Sequence, residues 1–286
     1  MNKTRRLGLF DLDIFAFQAN ATAMEEVFLQ NGDEFIGLMT NMTQAFNSVV
    51  SRIDEIRKQL KLDKVVMCLT DDHNWRKDVL PTYKSNRKDM RKPVGLAELK
   101  RRLGEHYETY LRPSLEADDV MGILATWKGF HPDYRKIVIS EDKDMKTLPV
   151  WLYNPAKDFE PWLNSEEDAD FFHLCQTLAG DVTDGYSGCP SIGMDTAKQM
   201  LKDKIMFEQY DHVFKTGARK GVTESRWRKV ESPSAWDTVV SCYRKAGLSE
   251  EYALQQARVA RICRASDYDF KNKEVKLWLP NEKSNV

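Results

Sequence analysis

The stretch KIVISEDKD, from Lys136 to Asp144, is a short apolar run that ends in acids. Two earlier stretches repeat the pattern: RLGLFDLD, from Arg6 to Asp13, and KVVMCLTDD, from Lys64 to Asp72. Segments with helical spacing separate the three runs. This alternation predicts a mostly parallel sheet covered by helices, an α/β fold.

Helices are expected both between the strands and after them. Residues 33–60 carry apolar side chains at helical spacing, and EADDVMGILATWKGF, from Glu116 to Phe130, opens a helix with acids. The second half of the chain is typical of helices and turns. We expect its helices at 166–179, 193–203, 233–246 and 249–264.

The change of character near residues 154–168 suggests a boundary between two parts. We predict an α/β core over 1–165 and a helical part over 166–286. The two parts are expected to pack as one body.

Acids collect where the predicted strands end: at Asp11, at Asp71 and Asp72, at Asp142 and Asp144, and at a helix start with Glu116, Asp118 and Asp119. Ligands bind beyond the carboxyl ends of strands in open parallel sheets. Acids are also ordinary at turns and helix starts. Carboxylates ~4 Å apart repel by roughly 4 kcal/mol at an effective dielectric of 20, so a cluster needs protons or a cation. Mg²⁺ or Mn²⁺ suits such oxygen ligands.

A basic segment, residues 83–102, has the sequence YKSNRKDMRKPVGLAELKRR. It carries eight basic and two acidic side chains, and it lies between two acid groups in the sequence. We therefore expect it to lie over the same edge of the sheet, where it would attract an anionic polymer. A solvated loop is the alternative. Pro93 and Gly95 should break any helix within it.

The overall composition restricts the kind of protein. The chain has 286 residues, 42% hydrophobic and 30% charged, with a net charge of −1, so nucleic-acid affinity has to come from local patches. The five cysteines form no CxxC pair, which favours a reducing compartment over a disulfide framework or zinc site. With no apolar run of ~18 residues, we expect no membrane partner and a cytoplasmic protein.

The stretch AGDVTDGYSGCPSIGMDTAKQML, from Ala179 to Leu201, combines two chemistries. Asp181 and Asp184 are acids, whereas the glycines that follow open the backbone before a helix. Glycine-rich turns at helix starts attract phosphate. One segment thus pairs a metal-binding type of residue with a phosphate-binding type of turn.

Several elements occur in an order that resembles the 5′-nuclease family: flap endonucleases, phage 5′→3′ exonucleases and the 5′-nuclease domain of bacterial DNA polymerase I. The elements are Asp11, Asp71, Trp75–Arg76, PTYKSNR, EADD, SEDKDM and GDVTDGYSGCPSIGMDTAKQML. The resemblance covers roughly Leu7 to Leu201. Short length and the lack of a polymerase domain make the chain most similar to exonucleases of short-tailed bacteriophages.

This resemblance implies a PIN-like nuclease core and a Mg²⁺-dependent 5′→3′ exonuclease with flap-type endonuclease activity. Two Mg²⁺ ions, replaceable by Mn²⁺, would support hydrolysis to 5′-phosphate products. The partner would be double-stranded DNA with 5′ ends or flaps, with RNA–DNA hybrids as a further candidate, and the protein is expected to be a monomer.

The resemblance also assigns residues. The implied metal ligands are Asp11, Asp71, Glu116, Asp118, Asp119, Asp142, Asp144, Asp181 and Asp184. The residues expected to contact the scissile phosphate are Lys84, Arg76 and Arg87. Segment 84–105 matches an arch that admits a single strand, and 174–203 matches a helix–turn–helix. Its DNA-binding positions would be Gly188, Ser191, Gly193, Thr196 and Lys198.

Three positions depart from the family pattern. Asp71 and Asp72 are adjacent, and either could supply the metal ligand. Ser191 stands where relatives have glycine, which would alter the backbone of that turn. Pro93 argues against a continuous helix in the arch.

Two other functions remain open from the sequence. LFDLD and GDVTD resemble parts of a haloacid-dehalogenase-type phosphatase, in which Asp11 would be the nucleophile and Asp13 the acid/base. A non-catalytic, structure-specific DNA-binding module is the second alternative. Basic residues at 215, 219, 220, 226, 228 and 229 suggest a second DNA-facing patch, with a solvated loop as the equal alternative.

Overall fold

The computed structural model describes residues 4–30, 34–87 and 90–280. The strands are β1 (Arg5–Asp11), β2 (Met24–Gln30), β3 (Glu34–Thr40), β4 (Lys64–Leu69), β5 (Thr109–Leu111), β6 (Tyr134–Ile139), β7 (Trp151–Tyr153), β8 (Trp162–Leu163), β9 (Ile205–Val213), β10 (Thr223–Glu231), β11 (Tyr268–Asp269) and β12 (Glu274–Val275).

The helices are α1 (Leu12–Thr22), α2 (Met42–Leu60), α3 (Arg76–Val79), α4 (Leu96–His106), α5 (Ala117–Thr126), α6 (Glu166–Ala179), α7 (Met194–Lys202), α8 (Ala235–Lys245) and α9 (Glu250–Ala260). Short 3-10 helices cover Ser85–Arg87, Lys143–Thr147 and Ala265–Asp267. None of the helices in the described residues is long and apolar enough to cross a membrane.

The central sheet has six strands in the order β5-β4-β1-β6-β7-β8. All neighbouring pairs are parallel except β7 and β8, which are antiparallel. The three apolar runs that end in acids form the adjacent strands β4, β1 and β6. The predicted α/β fold with a mostly parallel sheet is therefore confirmed, and the carboxyl ends of its central strands share one edge.

Helix α2 shows how sequence pattern and packing combine. Asn41 caps its start by accepting a hydrogen bond from the backbone N–H of Gln44, and Lys61 ends it in the left-handed region at φ 53°. Val49, Ile53, Ile56 and Leu60 recur at helical spacing and are buried against apolar residues of the sheet. Each such side chain stabilises the fold by about 1.5–3 kcal/mol when fully buried.

The expected helix over 33–60 is wrong in its first part. Residues Glu34–Thr40 form β3, which pairs antiparallel with β2, and the helix begins only at Met42. Short apolar segments fit a strand as well as a helix, so spacing alone did not separate them. The sequence Asn31-Gly32 between the two strands is a typical hairpin signal.

The contacts divide the chain into two units, each discontinuous in sequence. Unit 1 takes the described residues of Met1–Trp75, Arg87–Asp168 and Ile262–Lys276, and unit 2 takes those of Arg76–Asn86, Ala169–Arg261 and Leu277–Val286. The six-stranded sheet belongs to unit 1. The domain boundary near residue 165 stays a prediction.

The second half of the chain contains the four expected helices, α6 to α9, with ends that differ by at most four residues from the predicted ones. It also contains the antiparallel hairpin of β9 and β10, which the expectation of helices and turns omitted. Aromatic and β-branched residues recur in both strands, a composition that favours a strand.

Candidate active site

The carboxyl ends of β1, β4 and β6 bring acids of unit 1 together. Asp11 pairs in register with Cys68 of β4, and Phe10 pairs with Ile139 of β6. Asp71 and Asp142 follow the ends of β4 and β6 closely in the chain. We call this side of the sheet the acidic edge and define it by Asp11, Asp13, Asp118 and Asp142.

Asp11 is buried at the acidic edge, with 4% of its surface exposed. Its Oδ1 accepts hydrogen bonds from the backbone N–H groups of Asp13, at 2.9 Å, and Ile14, at 3.2 Å. The pKa of Asp11 is raised to about 7, chiefly by burial and then by the charge of Asp13, with a smaller contribution from Asp142; the backbone hydrogen bonds oppose the shift. Negative charge is therefore concentrated here.

The same charges affect the pKa of the buried thiol of Cys68, the residue of β4 that pairs in register with Asp11. Its pKa is raised well above the ordinary value by burial first, and then by the charges of Asp11, Asp118 and Asp13. Acids from the end of β1 and from the start of α5 thus act on one buried group. This places Asp118 with Asp11 and Asp13 in one electrostatic environment.

The acids after β6 form a tight turn. Asp142 caps the 3-10 helix that follows it, because its Oδ1 accepts a hydrogen bond from the N–H of Asp144 at 2.8 Å. The N–H of Asp142 donates to Oγ of Ser140 at 3.1 Å. Both carboxylates are half-buried. The turn holds Asp142 where it influences Asp11.

Asp71 and Asp72 differ in their surroundings although they are adjacent. Asp71 is half-buried, and its Oδ2 accepts a hydrogen bond from the N–H of Ser114 at 2.7 Å. Its own N–H donates to the carbonyl of Leu115 at 2.9 Å. Asp72 is exposed. This anchoring favours Asp71 as the ligand, and the assignment stays a prediction.

The start of α5 carries three predicted ligands with different environments. Glu116 is buried and Asp118 half-buried. Asp119 is fully buried; its Oδ2 accepts a hydrogen bond from the indole N–H of Trp75 at 3.0 Å, and its Oδ1 accepts one from the N–H of Cys263, also at 3.0 Å. Both oxygens of Asp119 thus hold neighbouring segments of unit 1. This is a structural task that the sequence did not suggest.

Lys100 reaches the acidic edge from the basic segment. Its Nζ lies 2.5 Å from Oδ1 of Asp13, whose Oδ2 accepts a hydrogen bond from the N–H of Thr70 at 2.9 Å. One residue of the basic segment therefore lies against the acids of unit 1, and the placement of the whole segment over this edge stays a prediction. The sequence analysis did not predict this pair. The available signal was the position of Asp13, two residues after Asp11 in LFDLD.

The rest of the basic segment follows the predicted break. Helix α4 begins at Leu96, after Gly95 with φ +81°. Arg101 and Arg102 turn to Glu98 and pair with it. Two residues of the segment, Lys88 and Asp89, lie outside the described residues, and so does part of the predicted arch 84–105.

In the part of the chain that the structure describes, no group of three or more His, Cys, Asp or Glu side chains stands in an arrangement that could hold a metal ion. The chemistry of the acidic edge nevertheless fits a hard divalent cation. Its donors are carboxylate oxygens, and the charges of Asp13 and Asp142 add to burial in raising the pKa of Asp11. A divalent cation would favour the charged form of these acids.

Unit 2 holds the other two predicted acidic ligands beside Lys84. Asp181 accepts hydrogen bonds at Oδ1 from the N–H groups of Thr183, at 2.7 Å, and Asp184, at 3.3 Å. Oδ2 of Asp184 accepts one from the hydroxyl of Tyr83 at 3.0 Å and lies 3.7 Å from Nζ of Lys84. The two acids are thus held in one turn, and Asp184 orients the lysine.

The backbone reinforces this arrangement. Lys84 has φ +51°, and its N–H donates to the carbonyl of Asp184 at 2.8 Å. A Cβ at Gly185 would lie only 2.9 Å from the carbonyl of Thr82, so glycine allows the two turns to approach. A non-glycine residue in the left-handed region costs about 1–2 kcal/mol, which marks Lys84 as a position that its surroundings enforce.

The two predicted arginines occupy different environments. Arg76 is 2% exposed, and its guanidinium donates to the carbonyls of Val259, at 2.9 Å, and Arg261, at 2.7 Å, within unit 2. These contacts give Arg76 a structural task inside the unit. Arg87, the last residue of the 3-10 helix Ser85–Arg87, is exposed.

The predicted DNA-binding positions lie in and after the loop between α6 and α7. Gly188 is buried, and its N–H donates to Oε1 of Gln256 at 3.0 Å, so this group serves the interior of unit 2. Ser191, Gly193, Thr196 and Lys198 are exposed. Ser191 has φ +64°, in the left-handed region that glycine adopts more readily.

The family model of the 5′-3′ exonuclease N-terminal resolvase-like domain matches residues 7–161. The exodeoxyribonuclease of Enterobacteria phage T3 is 40% identical over 223 residues, which cover 76% of this chain and 73% of that protein. The exonuclease of Escherichia phage T7 is 40% identical over 222 residues, covering 76% and 74%.

A solved structure shares the fold. The flap endonuclease of bacteriophage T5, in a pseudo-enzyme-product complex with DNA and metal ions, matches with a TM-score of 0.53 and 18% identity, over 70% of this chain and 75% of that one. This likeness agrees with a parallel sheet flanked by helices.

Proposed function

The chain belongs to the 5′-3′ exonuclease family and is a nuclease, a hydrolase of phosphodiester bonds; from this premise we propose that it degrades DNA from 5′ ends and cuts 5′ flaps with the help of divalent cations. The names of the relatives, exonuclease and flap endonuclease, support both activities. We further propose Mg²⁺ as the cation, in two sites, with Mn²⁺ as a substitute.

One observation carries the proposal: the register of β1 with β4 and β6 brings the acids at the ends of these strands to one edge of the sheet in unit 1, where the charges of Asp13 and Asp142 add to burial in raising the pKa of Asp11. Such a concentration of acids is unfavourable unless protons or a cation neutralise it. Asp11, Asp71, Glu116, Asp118, Asp142 and Asp144 would hold the cations with their oxygens. Divalent cations, when bound, activate water and stabilise a leaving oxygen in phosphodiester hydrolysis.

Lys84 is proposed to bind the scissile phosphate. Its ammonium is partly buried, with 17% of the side chain exposed, and is oriented by Asp184 and by the ring of Tyr83, whose centroid lies 5.1 Å away. A cation held in this way stabilises charge that develops on phosphate oxygens without reorganising at the moment of reaction. Asp181 and Asp184 stay predicted ligands, and RNA–DNA hybrids stay a candidate substrate.

The duplex is proposed to bind through the start of α7. Gly193 caps this helix, and Thr196 and Lys198 are exposed in its first turns. Helix starts attract phosphate through free N–H groups and the helix dipole. This contact is independent of DNA sequence, as a nuclease of 5′ ends requires.

The test is cleavage of 5′-labelled duplex and flap DNA with Mg²⁺ and with chelator. We expect short labelled products that carry 5′-phosphates in Mg²⁺ and none in chelator. Equal degradation of the DNA in Mg²⁺ and in chelator would contradict a metal-dependent mechanism. Hydrolysis of a small phosphomonoester, with DNA left intact, would instead favour the phosphatase alternative.

A further inference from the structure

The β9–β10 hairpin, residues 205–231, is part of unit 2, and one of its ends packs against the helices of that unit. Ile205 and Phe207 pack into the apolar cluster of α6 to α9. The N–H of Phe207 donates to Oγ of Ser241 in α8 at 3.0 Å, and Nζ of Lys245 lies 3.6 Å from the centroid of the Phe207 ring. The two strands pair over nine residues each, so the ribbon is about 30 Å long at ~3.4 Å per residue.

The polar and ring contacts of the outer part of the hairpin, residues 208–229, are internal to the hairpin. Within the described residues, the hydrogen bonds, ion pairs and ring contacts of residues 208–229 all stay inside the hairpin. Isolated two-stranded ribbons are marginally stable in water. The side chains of residues 208–229 therefore have to stabilise the ribbon through contacts with each other. They make none of these contacts with the rest of the described chain, so their outer surfaces are available to bind another molecule.

One face of the ribbon is a ladder of arginines on aromatic rings. The guanidinium carbons of Arg219 and Arg226 lie 4.0 and 5.1 Å from the centroid of Phe214, and that of Arg228 lies 5.3 Å from Tyr210. Glu224 pairs with both Arg219 and Arg226. This stacking fixes the two arginines in place, and the three charges together leave one positive charge in excess.

The tip of the hairpin adds positive charge. Residues 214–222 include Lys215, Arg219 and Lys220 and no acid. In the described part of the chain, neither Lys215 nor Lys220 forms an ion pair, and the same holds for Lys229. Gly217 and Gly221, with φ +76° and +84°, turn the loop without steric conflict. Cations without carboxylate partners are concentrated at the end of the ribbon.

These features fit phosphates of a duplex better than stacked bases of a single strand. Base stacking needs free aromatic faces, whereas guanidinium groups already lie over Phe214 and Tyr210. Phosphate contact needs oriented arginines and unpaired lysines, which the tip and the ladder supply. A two-stranded ribbon also has dimensions that a DNA groove accepts.

We propose that the β9–β10 hairpin is a second duplex-DNA contact, in which Lys215, Arg219, Lys220 and Arg226 bind backbone phosphates irrespective of sequence. The inference rests on the proposed function, since it concerns the same DNA. It adds a site that is separate in sequence from the loop between α6 and α7. The hairpin contributes affinity and takes no part in chemistry.

The experiment compares Lys215→Ala/Lys220→Ala with the control Lys58→Ala/Lys128→Ala in the full chain. Lys58 and Lys128 are exposed: Lys58 lies in the last turn of α2 and Lys128 follows α5, both at the opposite end of the strands from the acids. Anisotropy with a labelled duplex in chelator gives the dissociation constant at several salt concentrations. Cleavage in Mg²⁺ gives kcat and KM.

Loss of two phosphate contacts should weaken duplex binding at least about ten-fold near 0.1 M salt and reduce the slope of log K against log salt by about 2. The control should bind like wild type, and kcat of the hairpin variant should be unchanged while KM rises. Phe214→Ala should also weaken binding, because its arginines lose their platform. Thermal unfolding verifies that each variant is folded.

The two proposals fail differently. Wild-type protein that cleaves and binds DNA, with a hairpin variant that binds like the control, would overturn the hairpin inference alone, including the case in which the hairpin binds a protein. Wild-type protein that neither binds nor cleaves DNA would overturn the proposed function and the inference with it.

Discussion

Nζ of Lys100 lies 2.5 Å from Oδ1 of Asp13, and this ion pair joins the basic segment to the acidic edge of the sheet. The side chains are 29% and 20% exposed, so solvent screens the pair only in part. Lys100 therefore supplies positive charge where the proposed cations would bind. The lysine and a cation compete for the same negative field.

Lys100→Met should lower the Mg²⁺ concentration that gives half-maximal cleavage by a few-fold. Removing a positive charge near the acids makes their field more favourable to a cation. A Mg²⁺ titration of the cleavage rate measures this, with Lys58→Met as control. An unchanged or raised half-saturating concentration would show that Lys100 does not compete with the metal.

Lys84→Ala should depress turnover by orders of magnitude while the affinity for duplex changes little. The oriented ammonium is expected to act mainly on charge that develops during the reaction, so its loss falls on kcat. Single-turnover cleavage and anisotropy separate the two quantities. Lys77→Ala, an exposed lysine of α3, is the matched control. A change in affinity alone would make Lys84 a binding residue only.

Ser191→Gly should raise the free energy of unfolding by roughly 0.5–1 kcal/mol. Serine at φ +64° carries a left-handed penalty that glycine lacks, and the greater freedom of glycine in the unfolded chain offsets only part of the gain. Ser187→Gly is the control, since Ser187 is not among the residues with positive φ and should lose stability. Urea unfolding of both variants measures the change in the free energy of unfolding. An equal decrease in the two variants would contradict the prediction.

The metal-free protein should become less stable as pH rises from about 4 to about 7. Burial raises the pKa of Asp11 to about 7, so the folded state binds its proton more tightly than the unfolded state does. The contribution is fully present below the ordinary aspartate pKa and is lost as pH rises through the folded one. Each unit of the shift corresponds to about 1.4 kcal/mol.

Urea unfolding in chelator across this range, for wild type and Asp11→Asn, measures the effect. The asparagine variant should show a smaller pH dependence, and added Mg²⁺ should remove the loss in wild type because a cation favours the charged carboxylate. Identical pH profiles for the two proteins would assign the dependence to other groups.

The sequence predicted the elements whose pattern is local and strong. The runs that end at Asp11, Asp72 and Asp144 could be predicted as strands because each is a short apolar segment followed by acids. The helices of the second half were also predicted, with ends at most four residues from the observed ones. The break before α4 followed from Pro93 and Gly95.

What the sequence missed depends on partners far along the chain. The β2–β3 hairpin was hidden because Phe35 to Met42 fit helical spacing. The contacts of Asp119 with Trp75 and of Lys100 with Asp13 join segments that no local pattern connects. Arg76 looked like a phosphate ligand, and its burial against Val259 and Arg261 appears only in three dimensions.

The central claim is that the acidic edge is the metal-dependent cleavage site, and Asp142→Asn tests it most directly. The matched control is Asp133→Asn: Asp133 precedes β6 at the other end of the strand and is exposed, with Arg5 as its partner. The measurement is the cleavage rate of a 5′-labelled flap in Mg²⁺, with duplex affinity measured in parallel. We expect Asp142→Asn to abolish cleavage and to bind DNA nearly as wild type does, while Asp133→Asn cleaves normally. Cleavage by Asp142→Asn at the wild-type rate would contradict the account.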